Sequence, residues 1–95
     1  SINMKFLLIL ASVVLYVALS SAQSCPGRPS HQNCLHGKDE GVERARHCNR
    51  DPNPQMWYYN QRENRCIKMR YLGCKGNRNR YCTLNECQRK CVRRS

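Results

Sequence analysis

Acidic side chains are scarce in this sequence. Six Asp and Glu stand against 17 Lys and Arg in 95 residues, a formal net charge of +11. That balance disfavours basic partners and suits anionic ones: sulfated glycans, anionic membrane surfaces or acidic patches on proteins. Aromatics are few, with one Phe, one Trp and five Tyr, which leaves no material for a large core. The single long apolar run, Phe6 to about Leu19, is shorter than the roughly 20 residues of a spanning helix, and no second run follows. Catalytic signatures are missing too. His31, His36 and His47 belong to no HExxH pattern, and no GxSxG elbow occurs. A small chain has little room for a cleft. These absences exclude an enzyme and imply no cofactor.

What is present first is a leader. A start at Met4, the single cation Lys5, the apolar run and Ser20-Ser21-Ala22 form a signal peptide over residues 1–22. Cleavage falls before Gln23, and Ser1, Ile2 and Asn3 lie upstream of the start. The secreted, extracellular remainder, residues 23–95, is one domain with eight cysteines at 25, 34, 48, 66, 74, 82, 87 and 91. An even count in a short exported chain implies a disulfide framework. Cys87-x3-Cys91 has a spacing that zinc also uses, but an oxidising compartment argues against metal. Four bridges at about 2–4 kcal/mol each rival a total domain stability of about 5–15 kcal/mol, so crosslinks replace a large core. Basic charge usually suggests nucleic acid; export argues against that partner, and the domain reads as a monomer.

Along the chain, SCPGRPSHQNCLHGKDEG is irregular loop, rich in Pro, Gly, Ser and Asn. The prolines of DPNP, residues 51–54, forbid a helix. Met56 to Gln61 and Cys66 to Tyr71 read as strands, the second with Ile67, Met69 and Tyr71 on one side, and QREN between them suits a hairpin turn. In the tail, Thr83 and Glu86 have the spacing of a reciprocal capping box. Cys87 and Cys91 stand one turn apart on one helical face. The fold class is small, disulfide-rich α+β: a two-stranded antiparallel hairpin plus a short C-terminal helix.

The residues WYYN at 57–60, Cys66, Gly73-Cys74, Asn79, Tyr81, Cys87 and Cys91 resemble the Kunitz/bovine pancreatic trypsin inhibitor family. The intervals Cys66-x7-Cys74-x12-Cys87-x3-Cys91 match its pattern, as does Cys25-x8-Cys34 for its first interval. On that frame Cys34 is the family's second cysteine, followed by an enlarged loop over residues 35–56, with Cys48 and Cys82 additional. The eight-cysteine arrangement resembles modified Kunitz proteins of tick saliva, which act on host haemostasis, inflammation and ion channels. The resemblance implies pairs Cys25–Cys91, Cys66–Cys87 and Cys34–Cys74, leaving Cys48–Cys82. Exchange among Cys34, Cys48, Cys74 and Cys82 stays open, because spacing does not encode pairing.

A Kunitz inhibitor acts without chemistry of its own: a rigid loop beside a disulfide enters a serine protease as a substrate would. With Cys34 as second cysteine, the resemblance places Leu35 in the specificity pocket and His36 after it. Arg44-Ala45 inside the enlarged loop is a weaker candidate, basic then small, as trypsin-like enzymes prefer. The alternative function is a toxin-like binding module. Lys68, Arg70, Lys75, Arg78 and Arg80, with Arg89, Lys90, Arg93 and Arg94, would form a basic face for an ion channel, sulfated glycan or acidic lipid.

Overall fold

The computed structural model describes residues 24–94; the expected leader falls outside them. The architecture is a hairpin with one helix packed on it: β1 (Asn53–Asn60), β2 (Arg65–Tyr71) and α1 (Leu84–Cys91). The strands pair antiparallel, Trp57 opposite Lys68, Tyr58 opposite Ile67 and Tyr59 opposite Cys66. Gln61 to Asn64 form the expected turn. Asn64 adopts φ 49°, a left-handed conformation that Asn tolerates, and Asn60 Oδ1 accepts from the Glu63 N–H at 3.1 Å.

β1 begins three residues before Met56, where the alternation placed it. Asn53 pairs with Tyr71 and Met56 with Met69, so the register shifts between them. Pro54 sits in that irregularity, where a missing N–H interrupts no ladder bond.

The hairpin divides the core in two. Met56, Tyr58, Met69 and Tyr71 form one cluster, with Ile67 and Cys25 packed against it. Tyr59, Cys66, Tyr81, Cys87 and Cys91 form the other, joined by Trp57, Leu84 and Val92. Tyr81 binds β1 through two backbone bonds with Trp57, at 2.8 and 2.9 Å. Asn79, fully buried, imitates a strand neighbour: its Oδ1 accepts from the Tyr59 N–H at 2.8 Å and its Nδ2 donates to the Tyr59 carbonyl at 2.9 Å. Edge groups that would otherwise be buried unpaired are thereby satisfied.

Thr83 caps α1 by accepting from the Glu86 N–H at 3.1 Å. The other half of the expected capping box is absent. Glu86, only 4% exposed, turns its Oε1 to Arg28 at 3.2 Å and Lys90 at 3.5 Å, because a buried carboxylate gains more from cations than from one amide.

The four bridges are Cys25–Cys82, Cys34–Cys91, Cys48–Cys74 and Cys66–Cys87. Cys66–Cys87 is the pair that the resemblance implied. The expected Cys25–Cys91, Cys34–Cys74 and Cys48–Cys82 are not formed. Cys25 lies beside Met56, Sγ to Sδ 3.9 Å, and bonds to Cys82 just before α1, whereas Cys34 reaches the end of the helix. The family frame therefore begins at Cys34, one cysteine later than the first interval suggested. Cys87 and Cys91 are both in bridges, which removes the zinc alternative. The stretch 35–56 is not one finger: Cys48 divides it, and its last residues belong to β1.

Candidate functional site

The open end of the hairpin is organised around Cys74. Leu72 donates its N–H to the Glu40 carbonyl at 2.8 Å, and Val42 exchanges two backbone bonds with Cys74, at 2.8 and 3.0 Å. Between them Gly41 takes φ 73°, and a Cβ there would collide with the Cys74 carbonyl oxygen; only glycine lets the two backbones approach this closely. Six residues after Val42, Cys48 returns to the same place through its bridge to Cys74. The loop 43–47 thus projects from two attachments to one residue.

Beyond Cys48, the chain is fastened again. Arg50 Nε donates to the Leu72 carbonyl at 3.0 Å, and the Asp51 N–H to the Gly73 carbonyl at 3.0 Å. Asn49 and Arg50 are exposed between the Cys48 bridge and the Asp51 anchor. The Asp51 Oδ2 accepts from the Gly27 N–H at 2.8 Å.

Leu35 and His36 stand elsewhere. Leu35 is 52% exposed but follows Cys34, whose partner is Cys91. His36 borders a cleft with Tyr58, Asn60 and Gln61, at the turn end of the hairpin. The premise for Leu35 was a bridge from Cys34 to Cys74. The residue that follows the cysteine bonded to Cys74 is Asn49, which with Arg50 is not among the residues expected from the sequence. A signal was available: the family places about fifteen residues between its second and third cysteines, and Cys48 to Cys66 encloses 17 where Cys34 to Cys66 encloses 31. Arg44 and Ala45 lie in the projecting loop, Arg44 exposed and Ala45 half-buried.

Of the nine cations assigned to the basic face, eight are exposed. Arg80 is not among them. It is 7% exposed, with its guanidinium 4.0 Å over the Tyr71 ring, Nε donating to the Gly27 carbonyl at 3.0 Å and an Nη to the Asn77 carbonyl at 2.6 Å. Burial lowers its pKa from the ordinary arginine value, opposed by Tyr71 and Asp39. Its role is internal: one cation ties residues 25–32 to the loop 75–77. Gln32 completes that attachment, donating to the Arg80 carbonyl at 2.7 Å. Tyr81 sits against the Cys34–Cys91 bridge, its hydroxyl 3.0 Å from Cys91 Sγ. Burial, and secondarily the Glu86 charge, raise its pKa above the ordinary value.

Known families bear on this geometry. The model of the Kunitz/Bovine pancreatic trypsin inhibitor domain matches residues 33–92, more than half of the chain, from just before Cys34 to just after Cys91. The Kunitz serine protease inhibitor Pr-mulgin 1 of Pseudechis rossignolii is 45% identical over 57 residues, covering 53% of this chain and 69% of the relative. Mambaquaretin-3 of Dendroaspis polylepis polylepis is 53% identical over 36 residues, covering 38% and 63%. A BPTI/Kunitz domain-containing protein of Haliotis asinina is 51% identical over 39 residues, covering 41% and 31%. No solved structure matches. The matched span coincides with the outermost bridge of the frame, Cys34–Cys91, and contains both strands and the helix. On the match and the geometry together, the chain belongs to the Kunitz/bovine pancreatic trypsin inhibitor family.

Proposed function

We propose that the protein is a secreted serine protease inhibitor that presents the segment after Cys48, with Asn49 facing the specificity pocket. The observation that carries this reading is the Cys48–Cys74 bridge beside two exposed residues, Asn49 and Arg50, with the Arg50 side chain fastened to Leu72 and the following Asp51 N–H to Gly73. A loop held this way has little freedom left to lose on binding, and a cut chain cannot drift apart. Asn49 offers an uncharged carboxamide, so Arg46 and Arg50 on either side supply the charge that selects among proteases. Kunitz-type inhibitors among the relatives support the partner class. The targets we assign are host proteases of haemostasis or inflammation, on the likeness of the eight-cysteine arrangement to tick salivary proteins.

The test is an inhibition panel of trypsin-, chymotrypsin- and elastase-like enzymes against the oxidised protein. Asn49→Ala should weaken inhibition of the most sensitive enzyme by roughly tenfold or more, and Leu35→Ala should leave it unchanged. Loss at Leu35 instead, or no inhibition of any enzyme, sinks the assignment.

A second reading has its own observation. Lys68, Arg70, Lys75, Arg78, Arg89, Lys90, Arg93 and Arg94 remain exposed, and their charge suits a sulfated glycan, an acidic lipid or an ion channel. Binding to such a partner with no protease inhibited would favour it.

A further inference from the structure

We propose that the projecting loop 43–47 is a second protease-binding element, directed at enzymes with an acidic specificity pocket, and that Arg44 is the residue that enters the pocket. It rests on the inhibitor reading only for the class of partner; the loop, the residue and the pocket chemistry are different.

Three observations converge. The first is attachment. Val42 is held to Cys74 by two backbone hydrogen bonds, and Cys48 by a covalent bond. Only five residues lie between Val42 and Cys48, so the ends of the loop are fixed to one point. In the sequence Glu43, not a cysteine, precedes Arg44, so no staple stands beside it along the chain. The fold supplies the missing staple through Cys74.

The second is conformation. His47 takes φ 57°, and Arg46 and His47 form a turn. A protease reads its substrate extended, so a bond next to Arg46 is poorly shaped for it. Glu43, Arg44 and Ala45 are outside the turn, and none has a positive φ. The Arg44–Ala45 bond is the one in the loop that joins a basic residue to a small one, and it lies outside the turn.

The third is availability. Arg44 is exposed and belongs to no ion pair among the described residues. Val42, two residues before it, is 42% exposed and is one of two large apolar side chains left at the surface among the described residues. Its backbone groups are already used on Cys74, so recognition falls on the Arg44 side chain, with Val42 as an apolar contact. If the Arg44–Ala45 bond is hydrolysed, one water is consumed, leaving a carboxylate on Arg44 and an amine on Ala45. Both new ends stay within a few residues of Cys74, so the cut form keeps its contacts with the enzyme.

The experiment is titration of a trypsin-like protease with the oxidised protein and its Arg44→Ala, Arg44→Lys and Asn49→Ala variants. Each is first checked for four intact bridges by mass and for native circular dichroism. Arg44→Ala should raise the inhibition constant roughly 30-fold or more, a change typical of a buried anchor. Arg44→Lys should stay within about tenfold, because an acidic pocket accepts either cation, and Arg44→Ala should cost more than Asn49→Ala does. Loss in Asn49→Ala with Arg44→Ala unaffected overturns the proposal and leaves the Asn49 assignment standing. No inhibition of trypsin-like enzymes while others are inhibited also overturns it alone. Rapid cleavage at Arg44–Ala45 with release of active protease overturns it as well.

Discussion

Single side chains do unusually specific work here. Asn79 replaces a strand neighbour for Tyr59, and Arg80 joins two backbone segments with one guanidinium. Tyr81 carries a pH dependence. The unfolded chain releases the tyrosine proton near its ordinary value of 10.0, and the folded protein releases it higher. The stabilisation is therefore complete below pH 10 and is lost as pH climbs through the raised value. Denaturation midpoints measured from about pH 9 to about pH 11 should fall more steeply for the native sequence than for Tyr81→Phe. Parallel slopes would mean that the hydroxyl's burial does not distinguish the two states.

At the scale of elements, residues 24–32 are an addition outside the matched family span. They are fastened by Cys25–Cys82, by Gly27 to Asp51 and Arg80, and by Arg28 to Glu86. Gly27 fits because a Cβ there would lie 2.5 Å from the Tyr71 ring. Replacing Cys25 and Cys82 together with Ser should lower stability by about 2–4 kcal/mol and leave the other three bridges intact, as read by denaturant unfolding and peptide mapping. A loss below about 1 kcal/mol would mean that the noncovalent contacts suffice. The hairpin, its turn, the helix and the Thr83 cap were legible in the sequence because alternation, polar turn residues and capping are local signals. Met69 and Tyr71 fell on the buried side for the same reason. Pairing of cysteines is not local. Cys25-x8-Cys34 imitates the first interval of the family, and that coincidence moved the frame one cysteine toward the N-terminus and the expected reactive residue to Leu35. Arg80 was misplaced because an exposed cation and one that caps buried carbonyls read alike in one dimension.

For the whole molecule, charge governs approach more than grip. The described chain carries 16 Lys and Arg against six Asp and Glu, and several acids are turned to internal partners: Glu86 to Arg28, Asp51 to Gly27 and Asp39 to Gly41. An excess of ten cations leaves a strongly positive field around the molecule. With an acidic-surfaced protease, raising ionic strength from about 0.05 M to about 0.5 M should slow association about tenfold or more and change dissociation little. Stopped-flow binding measures both rates. An equal effect on dissociation would place the charges inside the contact.

The order of the bridges has a consequence for how the protein is made. Cys25, Cys34 and Cys48 find their partners at 82, 91 and 74, and Cys66 finds its own at 87. During synthesis from the N-terminus, no native bond can close until residue 74 has emerged. Three thiols, then a fourth, wait without a legitimate mate, and any early oxidation joins the wrong ones. Reaching the final topology then depends on exchange through mixed disulfides, so yield should follow the supply of an isomerase rather than that of an oxidant.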